Sequence, residues 1–516
     1  MKSIVIVGGG TAGWITAGYL AKVLAANNPA GVAVTLVESR DIGILGVGEG
    51  TFPSIRRTLR RIGVNEAELL RECDATLKQG ARFAHWRYTP GSEPHAAFAS
   101  YMHPFSVTQT PDGLDPLPYW LLGVDGHDAN WDAVNTVQKR VCDADRAPKR
   151  LVDADFGGPL NYAYHFDAAK LAVFLRRHAV GLGVRHLTDT VDEVTLDEGG
   201  AISGLKTREN GMLTADLYVD CTGFRAELIG KALGVPFKSC RDVLFCDSAL
   251  AVQVPYPSPD APIASCTIST AHEAGWTWDI GLHHRRGIGH VYSSDHTSDA
   301  RAEEVLCAYA GVPDADIRKF KFTAGFRETN WVKNCVAIGL SSGFFEPLEA
   351  TGIIFAEIAA VMLANLFPWG GNHEAAARQF NDLMLRRYRR TLDFIKLHYC
   401  LTQRRDSAFW IDNAAAASIP DSLCDLLERW KNRPPEPIDI DPNIDIFPAE
   451  SWQYVLYGMG YKTDLSAKAG IFQYYDEARA TFAEIRRQGD YALTVMPTNR
   501  DLITQVMTSD FKKASR

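Results

Sequence analysis

Short apolar runs open the chain. "SIVIVG" occupies residues 3–8 and "VAVTLVE" residues 32–38. Each is too short for a helix and is bounded by turn residues, which predicts two buried strands. Between them, "WITAGYLAKVLAA" from Trp14 spaces its apolar residues as an amphipathic helix does. Strand, helix and strand in this order predict a βαβ unit. Further on, "LKTRENGMLTADLYVDCTGF" (205–224) alternates and ends in a glycine turn, which predicts strands. From about residue 353 the pattern turns largely helical. "IIFAEIAAVMLANLFPW" (353–369) contains Glu357, is too short to span a bilayer comfortably, and predicts a buried helix. "EAAARQFNDLMLRRYRRTLDFIKLHYC" (374–400) predicts a long amphipathic helix. "KNRPPEPIDIDPNID" (431–445) reads as a Pro- and Asp-rich surface stretch between helical parts.

Composition narrows the class. With 516 residues, 46% of them hydrophobic, the chain can bury a large core and accommodate two to four domains. A net charge of −8 offers no basic footprint for nucleic acid. The opening strand is not a signal peptide, and no apolar run predicts a membrane span. Ten cysteines are scattered singly with no CxxC, which places the chain in a reducing cytoplasm without a disulfide framework or zinc site. His283 and His284 adjoin, but there is no HExxH, so no metal is expected.

The first chemistry lies in "GGGTAG" (8–13). Gly8 permits a tight turn, Gly10 lets a pyrophosphate approach the backbone, and Gly13 lets the helix pack on the strand. Thr11 and Ala12 fall at the helix start, whose positive potential favours phosphate. Glu38, ending the second strand, is placed to accept hydrogen bonds from an adenosine ribose. Two later segments favour FAD over NAD. "ADLYVDCTGF" (215–224) and "NCVAIGLSSGFFEPLEATGI" (334–353), the latter with Gly339, end apolar strands in glycine turns. They resemble the second and third flavin motifs of aromatic-hydroxylase-like flavoproteins. "NYAYHFDAAKLAVFLRRHA" (161–179) resembles the helix that often precedes the second motif.

Four stretches then agree: "GGGTAGW" (8–14), "GVGEGTFPSI" (46–55), "GWTWDI" (275–280) and "EPLEATGI" (346–353). Together they resemble the flavin-dependent tryptophan halogenase family, from residue 1 to about 410. The resemblance implies an oxidoreductase that takes reduced FAD from a separate NAD(P)H-dependent flavin reductase. Reduced FAD, oxygen and a chloride or bromide ion give hypohalous acid, which is passed to a lysine beside the aromatic substrate. Gly48, in the second stretch, then belongs to the flavin site. That stretch, with Glu49, Thr51 and Pro53, links flavin and substrate sites in the family. Thr51 is also read as the cap of the helix that follows.

Lys78, in "DATLKQGARFAHW" (74–86), matches the family's catalytic lysine. Lysine can polarise hypohalous acid or carry the halogen as a haloamine. From the residues alone, it is equally a cation near the end of a predicted helix, favouring its dipole. Glu349 in "EPLEATG" matches the family's second catalytic residue, able to orient the reagent or accept the ring proton. Glu346 is its competitor, and a glutamate in the first turn of a helix is the plain reading. The amides of Thr351 and Gly352, at a helix start, would hold the halide.

Trp276 and Trp278 have period-two spacing and share one face of a strand. Placed near the flavin, two indoles would keep an aromatic substrate away while admitting halide and hypohalous acid. Alternatively both fill a core. Gly281 stands where the family usually has proline. In "YMHPF" (101–105), His103 and Phe105 match the walls that sandwich an indole. Tryptophan-specific members grip the amino acid's charged ends with adjacent tyrosines and a glutamate. Here "SWQYVLYGMGYKTDL" (451–465) offers Trp452, Tyr454 and Tyr457 without that arrangement. The implied substrate is free indole or an indole derivative, with Trp452 and Tyr454 lining its site.

The expected architecture is α/β. Residues 1–370 form a doubly wound FAD-binding module interleaved with a substrate sheet, and residues 371–516 a mostly helical part covering the substrate. A flavin-dependent aromatic monooxygenase is the alternative activity. A flavoprotein that only senses or stores flavin is the third reading.

Overall fold

The apolar run at the N-terminus does form a strand, Ser3–Val7, and it occupies the middle of a six-stranded sheet. In this computed structural model all residues are described except 42, 44–47, 109–112, 126–128, 314–315 and 514–516. Gly46 and Val47 of the "GVGEGTFPSI" motif thus lie outside the described residues. The chain groups into two units, each of three stretches. The first holds residues 1–75, 166–240 and 322–388; the second holds 76–165, 241–321 and 389–516. The boundary expected at residue 370 delimits neither unit.

The first unit's sheet runs Trp331–Val332, Cys335–Ala337, Leu217–Asp220, Ser3–Val7, Ala33–Glu38, Arg185–Thr188. Every neighbouring pair is parallel except the first. Parallel strands are covered on both faces, which explains why they read as continuous apolar runs. Ile4, Ile6, Leu36, Val219 and Val336 are all buried. The helices Thr11–Val23, Ala168–Gly181 and Thr351–Asn365 pack together beside the sheet, the first touching both others. Chain order reverses between Ser3–Val7 and Leu217–Asp220, and in sheets of this kind ligands bind at the carboxyl ends of the strands at such a point.

The second unit's sheet has seven strands, ordered Arg318–Lys321, Ser248–Pro255, Arg285–Tyr292, Gly275–Gly281, Thr267–Ala271, Gly80–Ala84, Ser100–Pro104. It is antiparallel except where Thr267–Ala271 meets Gly80–Ala84. The helix Ala449–Gly458 packs on the edge strand Ser100–Pro104.

Most predicted elements form, including the helix Glu374–Cys400 over its predicted span. Several local expectations are corrected. Lys78 is not near a helix end: the helix Glu66–Glu72 stops at Cys73, Asp74 turns the chain at φ +54, and Thr76–Lys78 is a strand. Aspartate enters this left-handed region more readily than most residues. Within 161–179, Ala163–Asp167 is a strand, and the helix Ala168–Gly181 begins only where Asp167 accepts from the amides of Ala169 and Lys170. Glu349 ends a 3-10 turn, Pro347–Glu349; the helix starts at Thr351, after Ala350 at φ +53. Thr51 is not the helix cap, since Ser54–Ile62 starts from Pro53 without a side-chain cap. Residues 431–445 are less loose than their composition suggests. Asp439 and Asp445 are nearly enclosed, paired with Arg433 and Arg390. All ten cysteines are free thiols. Among the described residues no helix is long and apolar enough to cross a membrane.

Candidate active site

The predicted residues fall into two sets, one in each unit. In the first unit, Gly8 follows the central strand with φ +114. A Cβ there would stand 2.2 Å from the carbonyl oxygen of Cys221, the residue directly after the neighbouring strand Leu217–Asp220. A Cβ on Gly13 would stand 1.9 Å from the Gly8 carbonyl oxygen, so the helix start is pressed onto the loop. Gly10 differs: a Cβ on it would meet nothing within 4 Å. It caps the helix Thr11–Val23, whose first turn holds no acidic residue. The loop is therefore closed against the protein at Gly8 and Gly13 and open at Gly10, beside an uncompensated helix N-terminus. That is the shape a pyrophosphate requires.

The third motif reaches the first. Gly339 takes φ +78, and a Cβ on it would lie 2.7 Å from the Ala12 Cβ. The second motif is locked by Asp220, which sequence reasoning did not single out. Its carboxylate accepts from the amides of Thr222, Leu228 and Ile229 and from the Thr222 hydroxyl, at 2.6–2.9 Å. Glu38 also has unforeseen partners. His186 lies 2.8 Å and Arg176 3.4 Å from Oε1, while a side chain on Gly9 would collide with Oε2. Glu38 is thus folded over the glycine loop, and Gly9, the middle glycine of the run, was the available signal.

Gly48 is buried in the short strand Gly48–Gly50. Burial pushes the adjacent Glu49 carboxyl up to about 7, with the charge of Asp167 adding to it. Glu346, Glu349 and Thr351 are buried, whereas Gly352 is exposed with open space beyond its Cα. The helix Thr351–Asn365 has neither a side-chain cap nor an acid in its first turn. Its leading amides suit an anion.

In the second unit, Lys78 is 3% exposed and paired in register with Ala163. Its ammonium lies 5.4 Å from the centre of the Phe105 ring, within cation–π reach. Burial first, and the Lys78 charge second, hold the His165 imidazole well below its ordinary value. The backbone around Lys78 is pinned. Gln79 N–H donates to Ser265 at 2.7 Å, Phe105 N–H to Gln79 at 3.0 Å, and Asn499 Nδ2 to the Leu77 carbonyl at 3.1 Å.

His103 Nε2 meets Ser451 Oγ at 2.8 Å. Its ring lies 5.7 Å from Phe394 and 6.1 Å from Phe447, which stack on each other at 3.8 Å. Trp452 stands edge-on to Phe394 at 4.9 Å, under the Arg390 guanidinium. The Tyr454 hydroxyl accepts from Asn135 and donates to the Ser106 carbonyl. The structure therefore gathers His103 and Trp452 around Phe394 and Phe447, and ties Tyr454 next to Phe105. Phe394 and Phe447 were missed because a single phenylalanine in a helix or loop carries no signal beyond core packing.

Trp276 and Trp278 do share a face, with ring centroids 6.5 Å apart, and are 1% and 8% exposed. Trp278 lies across Gly289 of the next strand, where a Cβ would come within 2.1 Å of its ring. Trp276 approaches Trp86, which in turn meets Tyr399 and Trp410 edge-on. Gly281 accepts the Thr76 hydroxyl at 2.5 Å, two residues before Lys78, so the missing proline coincides with a tie to the Lys78 strand.

Comparison with known proteins gives the family. The family model described as tryptophan halogenase matches residues 3–470. The chain is 39% identical over 480 residues to tryptophan 6-halogenase SttH of Streptomyces toxytricini, covering 89% of each chain. It is similar to the crystal structure of a tryptophan halogenase from Shewanella frigidimarina NCIMB 400, with a TM-score of 0.93 and 40% identity, covering 100% of this chain and 99% of that one. It is also similar to BrvH, a flavin-dependent halogenase from Brevundimonas sp. BAL3, with a TM-score of 0.86 and 32% identity over 98% and 99% of the two chains. The hydroxylase alternative finds no such support. The chain belongs to the tryptophan halogenase family of flavin-dependent oxidoreductases.

Proposed function

We propose that this protein halogenates an electron-rich indole with hypohalous acid, using Lys78 to present the halogen. The observation that carries the reading is a lysine, 3% exposed, whose ammonium lies beside the Phe105 ring. Burying a cation is costly, and such groups are kept where the charge is used. Gly8, Gly10, Thr11, Ala12, Gly13, Glu38, Gly48 and Gly339 would hold FAD. When bound in its reduced form, FAD supplies with oxygen the oxidising power that turns halide into hypohalous acid. The amides of Thr351 and Gly352 hold the halide, chloride or bromide. Lys78 donates to the oxygen of hypohalous acid, which leaves as water when the ring carbon attacks the halogen. Glu349 accepts the proton the ring then loses. Trp276 and Trp278 keep the aromatic substrate from the flavin. A separate NAD(P)H-dependent flavin reductase supplies the reduced cofactor.

The substrate we assign is indole or an indole derivative, held by His103, Phe105, Trp452 and Tyr454. The relatives' names point instead to tryptophan, as in tryptophan 6-halogenase SttH. Against the free amino acid stands the chemistry of the C-terminal residues. Trp452 and Tyr454 are buried, and the Tyr454 hydroxyl is taken up by Asn135 and Ser106, leaving it no role as a clamp for charged ends. The test is mass spectrometry of parallel reactions with indole and with tryptophan, containing protein, FAD, NADH, a flavin reductase and oxygen, with bromide or chloride. Halogenated indole in excess over halogenated tryptophan is expected. Preference for tryptophan would reverse the substrate assignment, and an oxygenated product would reject halogenation.

A further inference from the structure

Two thiols of the second unit share one buried cluster. Cys142 sits in the last turn of the helix Val137–Asp143, and Cys266 directly precedes the strand Thr267–Ala271. Both are free and essentially without solvent exposure. They share one apolar cluster with Met102, against which Ile268 packs. The two side chains lie in that cluster close enough to interact. That interaction raises the Cys142 thiol and lowers Cys266, and the Arg82 guanidinium beside both sulfurs favours the thiolate. Arg82 is fixed by Asp143 at 2.7 Å.

The position of this pair matters more than its burial. Ser265, the residue before Cys266, accepts the Gln79 amide, and Gln79 directly follows Lys78. Met102 directly precedes His103 on the edge strand. The thioether thus adjoins His103, and Cys266 is tied to the Lys78 strand through the Gln79–Ser265 hydrogen bond, with Cys142 in the same cluster. Thiols react readily with electrophilic halogen.

We propose that Cys142 and Cys266 form an oxidation site that consumes hypohalous acid escaping the halogenation reaction, closing into a reversible disulfide. The inference rests on the proposed function for the source of the oxidant. The Cys266 sulfur attacks the halogen; the S–X bond forms, the O–X bond breaks, and hydroxide leaves, taking the thiol proton as water. The Cys142 sulfur then attacks Cys266; the S–S bond forms, halide leaves, and the Cys142 proton is released. Two thiols lose two electrons and the halogen gains them.

Two arms test this on the full chain with FAD. One receives equimolar reagent hypochlorous acid. The other runs turnover with reductase, NADH, oxygen and chloride, with catalase and without aromatic substrate. Each is denatured, alkylated, digested without reductant and read by mass spectrometry. The expected result in both is a cross-linked peptide pair joining Cys142 and Cys266, lost after reductant, absent without oxidant or chloride, and lost in Cys142→Ser. Recovery of both thiols alkylated in the reagent arm, with oxidation at the exposed Cys424, overturns the proposal. So does a turnover arm without the cross-link when the same preparation halogenates indole. A preparation that halogenates nothing, yet cross-links with the reagent, counts against the proposed function while supporting the dithiol.

Discussion

The Lys78 ammonium stands 5.4 Å from the centre of the Phe105 ring, and the Phe105 amide donates to Gln79, the residue after Lys78. Cation and ring are therefore held together by a hydrogen bond between the two stretches of backbone that carry them. Lys78→Ala should abolish halogenated product while FAD still binds, as read by product mass spectrometry and flavin titration. Product formation at the wild-type rate would remove Lys78 from the chemistry.

Glu349 and Glu346 are both buried and three residues apart. Glu349→Gln should lower turnover by roughly 10²-fold or more, the usual scale for losing a general base. Steady-state rates for Glu349→Gln and Glu346→Gln decide between them. If only Glu346→Gln is slow, the base is Glu346.

Gly10 and Gly13 separate ligand from fold. Alanine at Gly13 places its Cβ 1.9 Å from a backbone oxygen, so Gly13→Ala should lower both Tm and flavin affinity. Alanine at Gly10 meets no protein atom within 4 Å, so Gly10→Ala should keep the wild-type Tm of the flavin-free protein. It should still weaken FAD binding, because the open space is where the proposed function puts the cofactor. Unchanged FAD affinity in Gly10→Ala would move the pyrophosphate elsewhere.

Much of this arrangement was legible in the sequence because it is local. Strand, glycine loop and helix are consecutive, so period and turn chemistry specify them without knowledge of the rest. Lys78 was singled out from its sequence context as a candidate site residue, but its place in a strand was not foreseen. Its strand has three residues and exists because Thr76 and Leu77 pair with His165 and Tyr164, far along the chain. Asp220 was likewise hidden, since its value lies in amides eight and nine residues on that fold back to it. The wall of Phe394 and Phe447 joins a helix to a loop by tertiary packing alone. Periodicity reports none of these.

Glu357, in the helix Thr351–Asn365, gives a pH signature. Burial raises its carboxyl from 4.5 to about 7, against the pull of Ser54, Arg57 and Thr58. A raised carboxyl pKa stabilises the fold below about pH 4.5, and that stability is lost as pH rises through about 7. Glu357→Gln does not titrate. Relative to wild type it should gain roughly 3 kcal/mol between pH 4.5 and pH 8, the free energy of that shift. Denaturant melts at the two pH values measure this. A constant difference between the proteins would show that Glu357 is already ionised in the fold.

The threefold alternation of the two units also sets a schedule for biosynthesis. The strand Ser3–Val7 and the glycine loop leave the ribosome almost at once, but the sheet neighbour Leu217–Asp220 follows much later, and Cys335–Ala337 later still. Non-local pairings of this kind form only when the distant partner exists. Gly339 cannot reach Ala12 until both halves of the chain have been translated. A nascent or truncated chain therefore carries a phosphate loop without a flavin site. The loop proposed to hold FAD therefore meets its third motif only once the chain has grown past Gly339, with Lys78 made long before and Trp452 and Tyr454 still to come.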